Sequence, residues 1–186
     1  MSPFSRDELI AEIRENAERC LDASSTLLAV HCFAASAEMV WLAVEAMAGY
    51  FVGSTARAPS KASVLRFARR YLPELGGTSP GGLALVDKPR RAVASCAELV
   101  YECFRGGLLH DGQRATGVQV VDDKGRWMLS VEADGLVRLN AIPFQAQFER
   151  GLRHYLADLG RDGALAAKAE RRSAFLAKPT LAPPRR

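Results

Sequence analysis

The stretch TLLAVHCFAASAEMVWLAVEAMAGYFV, Thr26 to Val52, decides the fold. It is apolar almost all round and holds no glycine before Gly49, the composition of a helix enclosed by neighbours. A chain built round such a helix is mainly α, a helical bundle. Upstream, Ser5 followed by Glu8 is a capping box, and Leu9, Ile10, Ile13, Ala17, Cys20 and Leu21 recur at helical spacing. A first helix is therefore expected to run to about Leu21, with a break at Ala23 to Ser25.

Downstream, Gly53 to Pro59 reads as a loop and Ser60 to Tyr71 as a shorter helix that Pro73 ends. The run Gly76 to Gly82, with four glycines, a proline and two hydroxyl residues, reads as a flexible connection. Asp87 is placed to cap a further helix with Pro89 in its first turn, and Val93, Cys96, Ala97, Val100, Tyr101 and Phe104 continue its apolar face. From Thr116 the period changes. Val118 to Val121, Trp127 to Val131 and Leu136 to Leu139 are short strand-like runs, separated by Asp-Asp-Lys-Gly at 122–125 and Asp-Gly at 134–135. They predict a three-stranded antiparallel meander over about 116–140. Helical spacing returns from Phe144 to Leu159, followed by an Ala-rich helical stretch to Ala177 and a Pro-containing end, both expected at the periphery.

At 186 residues, the chain is long enough for one real core and short for two domains. The expected organisation is a single helical domain over 1–160, with the meander inserted at 116–140, and a basic appendage over 161–186. With 48% hydrophobic and 25% charged residues the balance is that of a folded protein. The net charge of +4 is uneven: residues 161–186 carry +5 and residues 1–160 carry −1. A basic total thus describes the tail and does not make the body a nucleic-acid binder. Leu27 to Phe51 is interrupted by His31, Glu38 and Glu45, so no run offers the roughly 20 uninterrupted apolar residues of a bilayer span. Phe4 is followed at once by Arg6, Asp7 and Glu8, unlike a signal peptide, and a cytoplasmic, membrane-free protein is expected. Cys20, Cys32, Cys96 and Cys103 form no C-x-x-C pair and read as buried reduced thiols; no metal and no cofactor is expected. Walker, dinucleotide, G-x-S-x-G and H-E-x-x-H signatures do not occur.

Chemistry concentrates in YECFRGGLLHDG, Tyr101 to Gly112, where an apolar helix ends in Arg105, four residues and His110. Singly, Gly106 and Gly107 could end a helix, Arg105 could reach solvent and His110-Asp111-Gly112 could form a polar turn. Together they form an R-x4-H pattern whose wording resembles the HEPN (higher eukaryotes and prokaryotes nucleotide-binding) domains, as does the helix order over about residues 5–115. Family members often carry Asn, Asp or His after the Arg, where this chain has Gly106. The resemblance implies a HEPN-like antiparallel bundle and a homodimer whose two motifs meet in one cleft. It also implies RNA cleavage without a metal, in a setting of prokaryotic defence or as a toxin, with a protein antitoxin or regulator as partner. The residue types suit that chemistry. Histidine titrates near neutrality and can move the proton of a 2′-hydroxyl or of a leaving oxygen, while Arg offers a planar fork to phosphate oxygens. Five residues put the two about 140° apart on a regular helix, so a bend or a second protomer must bring them to one phosphate.

His31, Glu38 and Glu45, spaced by seven, fall on one stripe of the central helix, which must face solvent, find Arg partners or line a groove. The resemblance makes Glu38 the polar neighbour of the motif; a structural salt bridge is the other role open to it. Lys61, Arg66, Arg69 and Arg70, with Arg91 beyond the loop, make a basic face that could track an RNA backbone or simply be solvated. No aromatic residue interleaves it. The rival to a ribonuclease is a catalytically silent HEPN-like module that dimerises or binds a protein or nucleotide.

Overall fold

The computed structural model describes residues 5–76, 84–85, 91–92, 95–104, 118–122, 127–131 and 137–178. It is mainly helical. Helix α1 (Arg6–Ala29) starts at the capping box: the Glu8 N–H donates to Ser5 Oγ at 3.2 Å and the Ser5 N–H to Glu8 Oε2 at 2.7 Å. These bonds hold the Glu8 carboxyl below its ordinary pKa. The expected break at Ala23 to Ser25 does not occur. Serine loosens a helix when its hydroxyl competes for the backbone, but Ser24 is buried with its hydroxyl satisfied elsewhere, 2.7 Å from Ser36 Oγ and 2.9 Å from Gln145 Oε1. The reversal falls later, at Val30 to Cys32, where His31 takes φ 59°, a left-handed conformation unusual for a side-chain-bearing residue.

Helix α2 (Phe33–Val52) follows, and it is the only described helix long and apolar enough to cross a membrane. Trp41, Val44, Met47 and Ala48 are instead fully buried in the core, and α2 packs against α1, α3, α6 and α7. It ends at Gly53, whose φ of 68° suits glycine and where a Cβ would stand 2.8 Å from the Lys168 carbonyl oxygen. Helix α3 (Lys61–Tyr71) is capped by Ser60. Pro73 begins one further turn, α4 (Pro73–Gly76), rather than ending all helix.

The next expectation is corrected. Asp87 and Pro89 lie outside the described residues, and Arg91–Ala92 (β2) instead pairs antiparallel with Ala84–Leu85 (β1). Helix α5 is therefore short, Cys96–Cys103, with Ser95 Oγ accepting from the Glu98 N–H at 3.1 Å. The sheet is corrected too. Val118–Val121 (β3), Leu129–Val131 (β4) and Val137–Asn140 (β5) form a mixed sheet in the order β3-β5-β4, with β3 parallel and β4 antiparallel to β5. The central place goes to the strand with the deepest burial: Val137 and Leu139 are enclosed, while Val120 and Leu129 only lean on the core. A meander would leave that strand at an edge.

Helix α6 (Ala141–Arg161) lies antiparallel to α1, with Arg6 Nη1 donating to the Gly160 carbonyl and Gln145 Nε2 to Ser25 Oγ. Gly151 lets it close on the end of α3, since a Cβ there would meet the Tyr71 carbonyl oxygen at 2.5 Å. Helix α7 (Gly163–Leu176) forms in the Ala-rich stretch and packs against α2 and α6. Arg172 is buried and donates to the carbonyls of Ser54, Ala56 and Arg57, and Ser173 Oγ donates at 2.6 Å to Glu12, which also accepts from Tyr50. The thiols are mixed rather than uniformly buried: Cys96 is enclosed, Cys20 half-buried and Cys32 exposed.

Candidate functional site

Arg105 and His110 lie outside the described residues. What is described is the helix that leads to them. The apolar face of α5 presents Tyr101 and Phe104 to α2. The Phe104 ring stacks on Trp41, centroids 5.8 Å apart and planes 11° from parallel, while Tyr101 meets the same indole edge-on at 6.1 Å. Phe104 also stacks on Phe144, in the second turn of α6, at 6.5 Å. Three elements thus converge on the residue that precedes Arg105 in the chain.

Glu38 stands on α2 three residues before Trp41, about 60° round the helix from it. It is half-exposed and makes no hydrogen bond or ion pair among the described residues. Its stripe-mates differ. Glu45 is buried and accepts from Trp41 Nε1 at 3.2 Å, and His31 sits exposed in the α1–α2 turn, edge-on to Phe33. The turn at Val30 to Cys32 takes His31 off the helix, so the seven-residue spacing no longer aligns it with the two glutamates.

The basic face is partly neutralised by its own surroundings. Lys61 bridges Glu98, at 2.7 Å, and Glu102, both on α5, and lies over the Tyr101 ring. Partial burial pulls its ammonium down, but the two carboxylates outweigh burial and hold its pKa above that of an ordinary lysine. Arg70 pairs with Asp158 at 3.0 Å, and Tyr71 donates to the same oxygen. Arg66 lies over the Phe51 ring, and Arg69 is exposed. Arg91 belongs to β2 and not to α3.

The sequence reading missed the aromatic seat formed by Trp41, Phe104 and Phe144. Its signal was the spacing of Tyr101 and Phe104 on α5, which marks an apolar face without saying what it meets. It also missed the exposure of Trp127, which is 78% accessible beside β4. A groove of about 690 Å³ between α1 and α6 has an apolar floor of Ile10, Leu21 and Leu156. Arg14 and Arg153 flank it, with Glu18 and Glu149 also on its wall, and it holds no histidine or cysteine. Among the described residues no three His, Cys, Asp or Glu side chains are grouped to hold a metal. Compared with family models, with curated proteins and with solved structures, the chain matches none.

Proposed function

We propose that this chain is a HEPN-like endoribonuclease that cuts RNA without a metal ion and works as a homodimer. Arg105 and His110 are its reacting pair, with Glu38 beside them. The observation that carries this reading is the Phe104–Trp41 stack. It anchors the residue before Arg105 against the central helix, one turn from a half-exposed carboxylate, which suits a site assembled from the motif and that helix. In this reading His110 removes the proton of a 2′-hydroxyl. The 2′-oxygen attacks phosphorus, the bond to the 5′-oxygen breaks, and that oxygen takes up a proton from an imidazolium, so that the proton removed from the 2′-hydroxyl is balanced. Arg105 offsets the charge growing on the other phosphate oxygens. The products are a 2′,3′-cyclic phosphate and a 5′-hydroxyl. The setting is the cytoplasm, in defence or as a toxin held by a protein antitoxin.

One observation favours the rival reading of a catalytically silent module that dimerises or binds a protein or nucleotide. Lys61 and Arg70 already have carboxylate partners, which leaves less free positive charge on the α3 face for an RNA backbone. End-group analysis of RNA incubated with the protein in EDTA separates the two. Cyclic phosphate ends support the ribonuclease, and uncut RNA supports the silent module.

A further inference from the structure

The groove between α1 and α6 carries a charge pattern that neither helix shows alone. The two helices run antiparallel, and the Arg6–Gly160 bond at one end and the Gln145–Ser25 bond at the other fix their register. That register sets Arg14 level with Arg153 and Glu18 level with Glu149, and all four line the groove. One turn separates the two levels, about 6 Å along the axis. The groove therefore has a basic level and an acidic level, with like charges facing each other across its floor of Ile10, Leu21 and Leu156. Along each helix the two charges are opposite and four residues apart, a spacing that suits an ion pair. No such pair forms. Arg14, Glu18 and Arg153 are exposed and make no hydrogen bond or ion pair among the described residues, and Glu149 only accepts from Gln145 Nε2 at 3.1 Å.

We propose that this groove is an interface with a second copy of the chain. Two such faces can be related by a two-fold axis lying between them, either along the helices or across them. An axis along the helices sets arginines against arginines and glutamates against glutamates. An axis across them reverses the helices, so that α1 meets α1 and α6 meets α6 antiparallel. Arg14 then faces Glu18 of the partner subunit, and Arg153 faces Glu149 of the partner subunit. In that one arrangement the pattern is complementary to itself, as a closed two-fold dimer requires, and like charges that crowd each other within a copy are offset by the other copy. A protein of different sequence would need the same four charges in reversed order on a matching helix pair; this chain already holds them. The apolar floor lies beneath as the core of the contact, with the charges as its rim. The ribonuclease reading includes a homodimer, but this face rests on α1 and α6 alone and stands or falls apart from RNA cleavage.

The test is sedimentation velocity of the full-length protein at low and high salt, with circular dichroism to show that each variant is folded. Arg14→Glu with Arg153→Glu makes the groove wholly acidic, and Glu18→Arg with Glu149→Arg makes it wholly basic. The wild type is expected to sediment as a dimer that salt weakens. Each double variant alone is expected to self-associate about a hundredfold more weakly, since like charges then meet at every position. An equimolar mixture of the two is expected to restore the dimer, as a heterodimer. Either variant tests the face should the other fail to fold. If the wild type dimerises and both variants dimerise equally well, the copies pair through another face; the inference is overturned and the ribonuclease reading stands. If both variants are monomers and their mixture stays monomeric, the charges do not meet their opposites across the axis, and the inference is overturned. A monomeric wild type overturns it as well and leaves the groove to a partner of another sequence, while end-group analysis of cut RNA decides the ribonuclease reading separately.

Discussion

Phe104 lies flat against Trp41, ring centroids 5.8 Å apart, and both side chains are withdrawn from water. The stack ties α5, otherwise a helix of only eight residues, to the middle of α2. Removing the ring should leave a cavity that the neighbouring Phe144 and Tyr101 rings cannot fill. Phe104→Ala is expected to cost about 3–5 kcal/mol, and Phe104→Leu clearly less, because large-to-small changes add a cavity cost to the lost transfer energy. Urea unfolding at neutral pH measures both.

Tyr155 is fully enclosed among Phe51, Phe67 and Tyr71, and its hydroxyl has no hydrogen-bond partner among the described residues. Burial pushes its pKa far above the ordinary tyrosine value of 10.0, with the nearby Tyr71 and Tyr50 adding to the shift. A phenol whose folded pKa is raised contributes stability that is complete below its unfolded pKa and is lost as pH rises above it. The protein should therefore lose stability above about pH 10. Tyr155→Phe should be neutral or stabilising at pH 7, since it removes an unpaired buried hydroxyl, and should flatten that alkaline loss. Thermal unfolding at pH 7 and above pH 10 gives the comparison.

Gln147 presents a similar mismatch on α6. It is 2% exposed, and neither end of its amide finds a partner among the described residues. Gln147→Met keeps the length and removes the unpaired groups. It is expected to stabilise the fold by about 1–2 kcal/mol, read as a higher urea midpoint with an unchanged slope.

Arg172 holds α7 to the loop after α2 through the carbonyls of Ser54, Ala56 and Arg57, and burial lowers its pKa. Truncating it leaves those carbonyls without their donor. Arg172→Ala should cost about 2–4 kcal/mol, and Arg172→Lys should recover only part, since an ammonium lacks the planar fork that serves several carbonyls at once. Hydrogen exchange should show the loss first in α7.

The parts of the fold legible in the sequence were those fixed by local chemistry. Ser5 with Glu8, the apolar run of α2 and the periodicity of α6 act within one or two helical turns; α1 starts at its capping box and α6 runs close to where its pattern places it, while the helix expected over 26–52 is cut at Val30 to Cys32 and begins at Phe33. The misread parts depend on distant partners. Ser24 stays helical because Ser36 and Gln145 satisfy it, β5 takes the centre of its sheet because Val137 and Leu139 find the core, and Arg172 looks like tail charge until the loop at 54–57 is folded beneath it. The candidate site follows the same division. Glu38 stands half-exposed on α2, near the anchor of the motif helix, while the charges of Lys61 and Arg70 were matched by Glu98, Glu102 and Asp158 from other helices, which no spacing along α3 could reveal.

RNA cleavage by Arg105 and His110 is the proposed activity. Its most direct measurement is the single-turnover cleavage rate of cellular RNA in EDTA by the wild type and by Arg105→Ala and His110→Ala variants shown to be folded. Cleavage by the wild type is expected, with a loss of about a hundredfold or more in His110→Ala, the usual scale for removing a general acid or base, and Arg105→Ala similarly impaired. Equal rates in all three proteins, or no cleavage by any of them, would contradict it.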